Sequence, residues 1–296
     1  MSVPEPPRGD VIPTGHEDVI HGLPTYVATP KSWVKSLGTV VLITDAFGWS
    51  LHTRALADSS ARRVPCIVYV PDFMDGKAIP LSLMASFESG PDPNSPWLFR
   101  ILSRSWNIIK AVPFFVLWLY CTCPSVMVVG RVCDPFWPLC ERPQRLRNPE
   151  NWVSLRDRNK VPLIDCAFTA HPSMLKLPRH IHEVQLPLSL ANGENDSFMG
   201  QEKMQEVMRI LTKKNKASAR EAEGADRPTL PNAHEVVVYP GAKHEFAVRE
   251  DREDPLQKEK GDQAEDQAVR WFLIWFAMRA FQDCCQMLPK RSAFLR

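Results

Sequence analysis

Two polar residues in the second half of the chain have the types and positions that acid–base chemistry needs. Asp196 follows shortly after the apolar run LPLSLA at 186–191, and His244 follows shortly after EVVVY at 235–239. In a catalytic triad, a histidine takes the proton of a nucleophile while a carboxylate holds the histidine's tautomer and stabilises its cation. Asp196 alone is also compatible with capping a loop, and His244 alone with a hydrogen-bonded turn. Together, each after a strand-like run, they predict a catalytic acid and its base.

Short apolar runs alternate with amphipathic segments along the chain. Buried strands are predicted at 38–44, 66–70, 163–169, 186–191 and 235–239, with an edge strand at 21–30. Helices are predicted at 53–63, 201–213 and 264–282. This alternation is typical of an α/β fold with a doubly wound, mostly parallel sheet and helices on both faces. Such sheets bind ligands at the carboxyl ends of their strands, which is where Asp196 and His244 are expected.

The chain is predicted to form one domain. Its 296 residues, of which 44% are hydrophobic and 24% charged, are typical of a globular protein. We expect a flexible proline-rich tail over residues 1–15, a single domain over 16–285 and a C-terminal tail over 286–296. Residues 116–160 are atypical of such a domain, because within them residues 131–160 show no helix or strand periodicity over useful lengths.

Three further stretches have a distinctive composition. Residues 213–232 are predicted to form an exposed loop, and the charged run 249–262 a solvated surface segment. Residues 111–130 carry no charge, but Pro113 and Pro124 leave too few unbroken residues for a spanning helix. A buried helix or a lid segment is therefore the favoured interpretation, and a membrane anchor the alternative.

Charge and cysteine content limit the partners and the compartment. A net charge of +2 does not favour nucleic-acid binding. The N-terminus lacks the basic and apolar regions of a signal peptide, and eight cysteines in a chain this long suggest reduced thiols, so we expect a cytoplasmic protein. The cysteines at 121, 123, 133 and 140 lack the paired spacing of a zinc site. No metal and no cofactor are predicted.

Other histidines and cysteines receive structural interpretations. His180 and His182 could share one face of a strand and bind a metal, but surface positions are favoured. His171 is expected to form hydrogen bonds in a loop. Cys66 and Cys166 lie in apolar runs and are expected in the core.

Five segments together resemble fungal members of the dienelactone hydrolase family. They are VVLITDAFGW, YVPDFMDG, AFTAHPSML, LPLSLANGEND and VVVYPGAKHEFAVR, in the family's order and spacing. The resemblance covers residues 20–115 and 160–282. It implies an α/β-hydrolase that cleaves ester or lactone bonds without a cofactor, through a Cys-Asp-His triad.

The resemblance also implies roles for single residues. Asp196 corresponds to the triad acid and His244 to the triad base. Ala46 corresponds to the residue whose backbone N–H helps to form the oxyanion hole. Asp45 lies where bacterial members carry a glutamate near the resting thiol. Arg249 lies near the family's arginine for a substrate carboxylate, one residue further from the histidine.

The chain departs from the family pattern at two places. Glu245 stands where fungal relatives usually have glycine. The nucleophile elbow, Gly-x-Cys-x-Gly, is expected between about residues 115 and 160, but neither it nor Gly-x-Ser-x-Gly occurs anywhere in the chain. The nearest imitation places Cys133 after Gly130, with Pro135 where the second glycine belongs, so Cys133 is only a weak candidate.

Two explanations of the missing elbow stay open, a misread gene segment and a true divergence. The leading functional hypothesis is a hydrolase of small-molecule esters or lactones, similar to carboxymethylenebutenolidase and impaired by the loss of the elbow. The alternative is an inactive α/β-hydrolase scaffold that binds a small ligand or a protein. The substrate and the oligomeric state are not determined by the sequence.

Overall fold

A computed structural model describes residues 12–44, 48–73, 76, 78, 126–130, 164–173, 175–222, 234–248 and 254–287. For residues 126–130, 221–222 and 281–287 it describes the backbone alone.

Eight strands form one mixed sheet in the described part of the chain. They are β1 His16–Ile20, β2 Leu23–Ala28, β3 Thr39–Ile43, β4 Ile67–Pro71, β5 Val126–Gly130, β6 Ile164–Ala170, β7 Leu188–Asn195 and β8 His234–Lys243. Their order across the sheet is β1-β2-β4-β3-β5-β6-β7-β8. β2 and β5 run against the other six strands. The five strands predicted as buried and parallel are all present and share one direction.

Helices pack against both faces of the sheet. They are α1 Leu51–Arg63, α2 Arg179–Glu183, α3 Gln201–Ala222 and α4 Pro255–Met287. Successive side chains of β7 enter different cores, since Ala191 packs in a cluster with α1 and α4 while Leu190 packs with α2 and α3. Because neighbouring residues of a strand point to opposite faces, the two helix pairs lie on opposite sides. The α/β class is thus observed, whereas the doubly wound arrangement stays a prediction.

The two long helices are longer than predicted. α3 continues to Ala222, through residues assigned to a loop from 213 onward. α4 begins at Pro255, inside the charged run predicted to be a solvated surface segment. Asp254 accepts hydrogen bonds from the backbone N–H groups of Leu256 and Gln257, which caps α4 at its start. The charged residues of both stretches include good helix formers, and packing of the apolar residues decides their conformation.

Three smaller predictions also need correction. The strand predicted at 21–30 is not at the edge, because β2 lies between β1 and β4. His180 and His182 lie on helix α2 and not on a strand. The end of the uncharged stretch 111–130 is strand β5, not helix. None of the helices in the described ranges has both the length and the apolar character needed to cross a bilayer.

The direction of β5 decides which of its ends lies near the carboxyl ends of the parallel strands. Val126 pairs with Ile43 and Thr169, at the ends of β3 and β6. Gly130 pairs with Thr39 and Ile164, at the beginnings of the same two strands. The start of β5 therefore lies at the edge of the sheet that carries Asp196 and His244, and its end lies at the opposite edge.

Candidate active site

Asp196 and His244 lie side by side at the carboxyl ends of two paired strands. β7 and β8 are parallel neighbours, so the residues that follow them emerge at the same edge of the sheet. His244 Nδ1 is 2.8 Å from Asp196 Oδ2. The Asp196 side chain is fully buried, whereas the His244 side chain is 19% exposed. The histidine can therefore meet a substrate from solvent, while its carboxylate partner stays shielded from water.

The second carboxylate oxygen of Asp196 is held by the backbone. Oδ1 accepts hydrogen bonds from the N–H groups of Phe198 at 2.8 Å and Met199 at 2.9 Å. Burial acts to raise the pKa of Asp196, but the hydrogen bond from His244 and those from the backbone outweigh it, so the pKa lies below its usual value. Asp196 is therefore ionised at neutral pH. An ionised carboxylate only accepts hydrogen bonds, so Nδ1 of His244 must be the donor in this hydrogen bond.

A close approach of two backbones brings Asp196 and His244 together. The pairing of β7 with β8 shifts its register between Gly193 and Asn195. A Cβ atom at Gly193 would lie 2.4 Å from the Ala242 carbonyl oxygen and 2.8 Å from that of Lys243. Only glycine fits this contact. Gly193 lies three residues before Asp196, and the residues that it contacts, Ala242 and Lys243, directly precede His244.

Asn192 holds the loop that carries Asp196. Its fully buried side chain donates from Nδ2 to the carbonyl oxygen of Met199 at 3.0 Å and to that of Gly193 at 2.8 Å. The chain from Gly193 to Met199 is thus closed into a compact loop. This loop directs the backbone N–H groups of Phe198 and Met199 toward the carboxylate.

Two aromatic rings flank the imidazole of His244. The Phe198 ring centroid lies 4.6 Å away at an interplanar angle of 48°. The His171 ring centroid lies 5.1 Å away at 74°. Phe198 is 43% exposed, whereas His171 is buried at 4%. His244 is thus enclosed on one side by the protein core and on another by a ring that also faces solvent.

Glu245, the departure next to the base, has an unusual backbone conformation. Its φ angle is +71°, in the left-handed region that glycine adopts without strain. Val248 donates its backbone N–H to the Glu245 carbonyl oxygen at 3.1 Å, which closes the turn after His244. The turn therefore needs a conformation that favours glycine, and this chain adopts it with glutamate.

Four of the predicted site residues lie outside the described residues. These are Asp45, Ala46, Cys133 and Arg249. The roles assigned to them stay predictions. The end of β3 and the start of α1, which precede and follow Asp45 and Ala46 in the sequence, are both described.

The cysteines whose side chains are described are not nucleophiles. Cys66 and Cys166 are free and buried, both at 0% exposure. Burial raises the pKa of Cys66 to about 12 and raises that of Cys166 well above its usual value. Both stay protonated at neutral pH, and a protonated thiol is a poor nucleophile. Their core positions agree with the sequence interpretation. Within the described ranges, no serine or cysteine side chain is hydrogen-bonded to His244.

Metal ligands are not clustered in the described residues. No group of three or more histidine, cysteine, aspartate or glutamate side chains there is placed to hold an ion.

The sequence interpretation missed three residues of this site. Gly193 was recognisable as part of a turn-like NGEND segment, but its contact with β8 depends on pairing between distant residues. His171 was noticed and given only a loop role. Phe198 gave no signal, because a single phenylalanine near an acid is common in many loops.

Comparisons with known proteins return hydrolases and esterases. No family model matches the chain. A curated relative, the hydrolase pyvD of Aspergillus violaceofuscus, is 23% identical over 252 residues, which cover 84% of this chain and 86% of the relative.

The solved structures that resemble the chain carry similar names. One is a dienelactone hydrolase of Klebsiella pneumoniae, 14% identical with a TM-score of 0.42, over 86% of this chain and 92% of that one. Another is the dienelactone hydrolase-like promiscuous phosphotriesterase P91 from metagenomic libraries. It is 12% identical with a TM-score of 0.44, over 88% of this chain and 98% of that one. A third is an esterase of Thermogutta terrifontis, which is 11% identical with a TM-score of 0.45, over 88% of this chain and 96% of that one.

Proposed function

We propose that this chain is an α/β-hydrolase of the dienelactone hydrolase type that acts on small-molecule esters or lactones. The carrying observation is the 2.8 Å hydrogen bond between a solvent-accessible His244 and a buried Asp196 whose other oxygen is held by two backbone N–H groups. In this arrangement Nδ1 of His244 donates to Asp196, and Nε2 is the ring atom that would accept the proton of a nucleophile. The name of the distant relative, a hydrolase, agrees with the proposal.

The proposed reaction proceeds through an acyl-thioester. Nε2 of His244 takes the proton of a cysteine thiol, and the thiolate attacks the carbonyl carbon of the substrate. The resulting oxyanion is stabilised by backbone N–H groups, among which the resemblance assigns that of Ala46. The tetrahedral intermediate collapses, the C–O bond breaks, and the imidazolium returns its proton to the leaving alkoxide. Water, deprotonated by His244, then releases the acid and frees the thiol. Asp196 stabilises the imidazolium in both steps.

The nucleophile is the incomplete part of this proposal. The sequence has no Gly-x-Cys-x-Gly elbow, and Cys133 is only a weak candidate for the nucleophile. We therefore expect turnover well below that of an intact hydrolase of this type. The missing elbow favours a second candidate function, an inactive scaffold that binds a small ligand or a protein.

Thiol labelling tests the two candidates on the full chain. Iodoacetamide would be applied at neutral pH, and the modification of each of the eight cysteines followed by mass spectrometry. An enzyme is expected to show one fast-reacting cysteine whose labelling slows by about 100-fold in Asp196→Asn, because general-base activation of that size is lost. Hydrolysis of p-nitrophenyl acetate would be measured in parallel and should fall together with labelling.

A matched substitution controls for the change of charge. Asp18→Asn alters an exposed carboxylate on β1 and should leave labelling and hydrolysis unchanged. Slow and uniform labelling of all cysteines in the unsubstituted chain, with no hydrolysis, would refute the enzyme and favour the binding scaffold.

A further inference from the structure

A second imidazole lies beside the base, and the proposed mechanism does not use it. His171 follows β6 directly and is buried at 4% exposure. Its ring meets that of His244 in a T-shaped contact with centroids 5.1 Å apart, and that of Phe246 at 6.1 Å. Its backbone N–H donates to the Ala191 carbonyl oxygen at 2.8 Å, which fastens it to β7.

The backbone of His171 has an uncommon conformation. Its φ angle is +36°, in the left-handed region that few residues other than glycine adopt, histidine being among the more frequent of them. Such a conformation persists only where the surrounding structure over-determines it, and it is often found at functional sites.

The hydrogen bond to Asp196 fixes only one atom of the His244 ring. Rotation about the line through Nδ1 and Oδ2 would still move Nε2 away from a nucleophile. A ring packed at 74° against the imidazole opposes this rotation. Phe198 contacts another side of the ring, but it is 43% exposed and so is less firmly held than buried His171.

We propose that His171 is a positioning residue whose buried ring, packed edge-to-face on His244, holds the base in the orientation that its hydrogen bond to Asp196 requires. The role of His171 in catalysis rests on the proposed function. The effect of its ring on His244 can be tested without measuring hydrolysis. Misplacement of a base by about 1 Å lowers rates by up to about 100-fold, so the packing has a direct effect on catalysis.

Two substitutions of His171 distinguish the effect of its ring from the effect of its backbone conformation. His171→Phe keeps an aromatic ring of similar size, and His171→Asn tolerates the left-handed conformation but removes the ring.

The readout is the ¹H NMR resonance of the His244 Nδ1 proton, which lies far downfield while the proton is shared with Asp196. We expect His171→Phe to keep this resonance, and His171→Asn to lose or broaden it through exchange with water. In the asparagine variant, kcat or the rate of thiol labelling should fall by about 10- to 100-fold, with a smaller change in KM.

The controls distinguish this inference from the proposed function. His182→Asn, at an exposed position on α2, should leave the resonance unchanged. Absence of hydrolysis in every variant would contradict the proposed function and leave the NMR test of His171 intact. The inference is overturned if His171→Asn retains a sharp resonance, or if His171→Phe loses it in a folded protein. If His171→Asn fails to fold, the result for His171→Phe decides alone.

Discussion

The residues around His244 combine firm support with one local strain. Asp196 is buried, ionised and held by three hydrogen bonds, so it fixes Nδ1 of the base. Glu245, the next residue, adopts a φ of +71° that costs about 1 kcal/mol for a residue with a Cβ. A glutamate at this position is thus tolerated at the expense of stability, because the turn after the base must keep its shape.

At the residue scale, replacing Glu245 should relieve that strain. We expect Glu245→Gly to have a free energy of unfolding about 1 kcal/mol higher than Glu245→Ala, measured by urea denaturation. Both variants lose the glutamate side chain, so their difference reports the backbone. The same pair at Glu202, in the first turn of α3, should show the opposite sign, since glycine is the poorer helix former. Equal stability of the two variants at 245 would contradict the argument.

At the element scale, the site depends on how closely β7 approaches β8. The two strands are parallel, and their register shift at Gly193 directs Asp196 toward the turn that carries His244. The contact of Gly193 with the Ala242 and Lys243 carbonyls leaves no room for a side chain. The distance between acid and base is therefore a property of the strand pair and not of either loop.

Adding one methyl group at this contact should separate the acid from the base. We expect Gly193→Ala to lose the downfield Nδ1 proton resonance of His244 and to destabilise the fold by about 1–3 kcal/mol, as overpacking does. Gly200→Ala is the matched control, because the nearest atom to its Cβ would be the Asp196 carbonyl oxygen at 4.0 Å. Retention of the resonance in Gly193→Ala would show that the strands can part without disturbing the site.

At the scale of the whole molecule, a buried histidine far from the site links stability to pH. His234 begins β8 at 9% exposure, opposite Leu188 at the start of β7. Burial, together with the nearby positive charge of Lys214, lowers the pKa of His234 to about 4. Its backbone is held by two hydrogen bonds with the side chain of Asn215, so the ring cannot leave the core without disturbing β8 and α3.

Protonation of His234 should therefore weaken the global fold. Between about pH 6.5 and pH 4 the unfolded chain binds a proton at this residue and the folded chain does not, so stability falls as the pH falls through this range. We expect a loss of up to about 3 kcal/mol, complete below the folded pKa. Urea denaturation at pH 7.5 and pH 4.5 should show a smaller loss in His234→Leu than in the unsubstituted chain. The exposed control His182→Asn should behave as the unsubstituted chain, and an equal loss in all three proteins would contradict the prediction.

The sequence by itself determined the α/β class, the five strands that share one direction and the two residues that meet in the site. These features follow from local patterns. A short apolar run indicates a buried strand, and apolar residues at helical spacing indicate a helix with one buried face. The order of an acid and a histidine after successive strands was sufficient to place them at one edge of the sheet.

Only the tertiary structure decided the direction of β5, the full lengths of α3 and α4, and the packing of His171 and Phe198 on the base. Each depends on contacts between residues far apart in the chain. The apolar pattern of β5 is the same whether the strand runs parallel or antiparallel, and pairing with β3 and β6 makes the choice. The 2.8 Å bond between Asp196 and His244 likewise joins residues 48 apart, and it exists because a glycine lets two backbones meet.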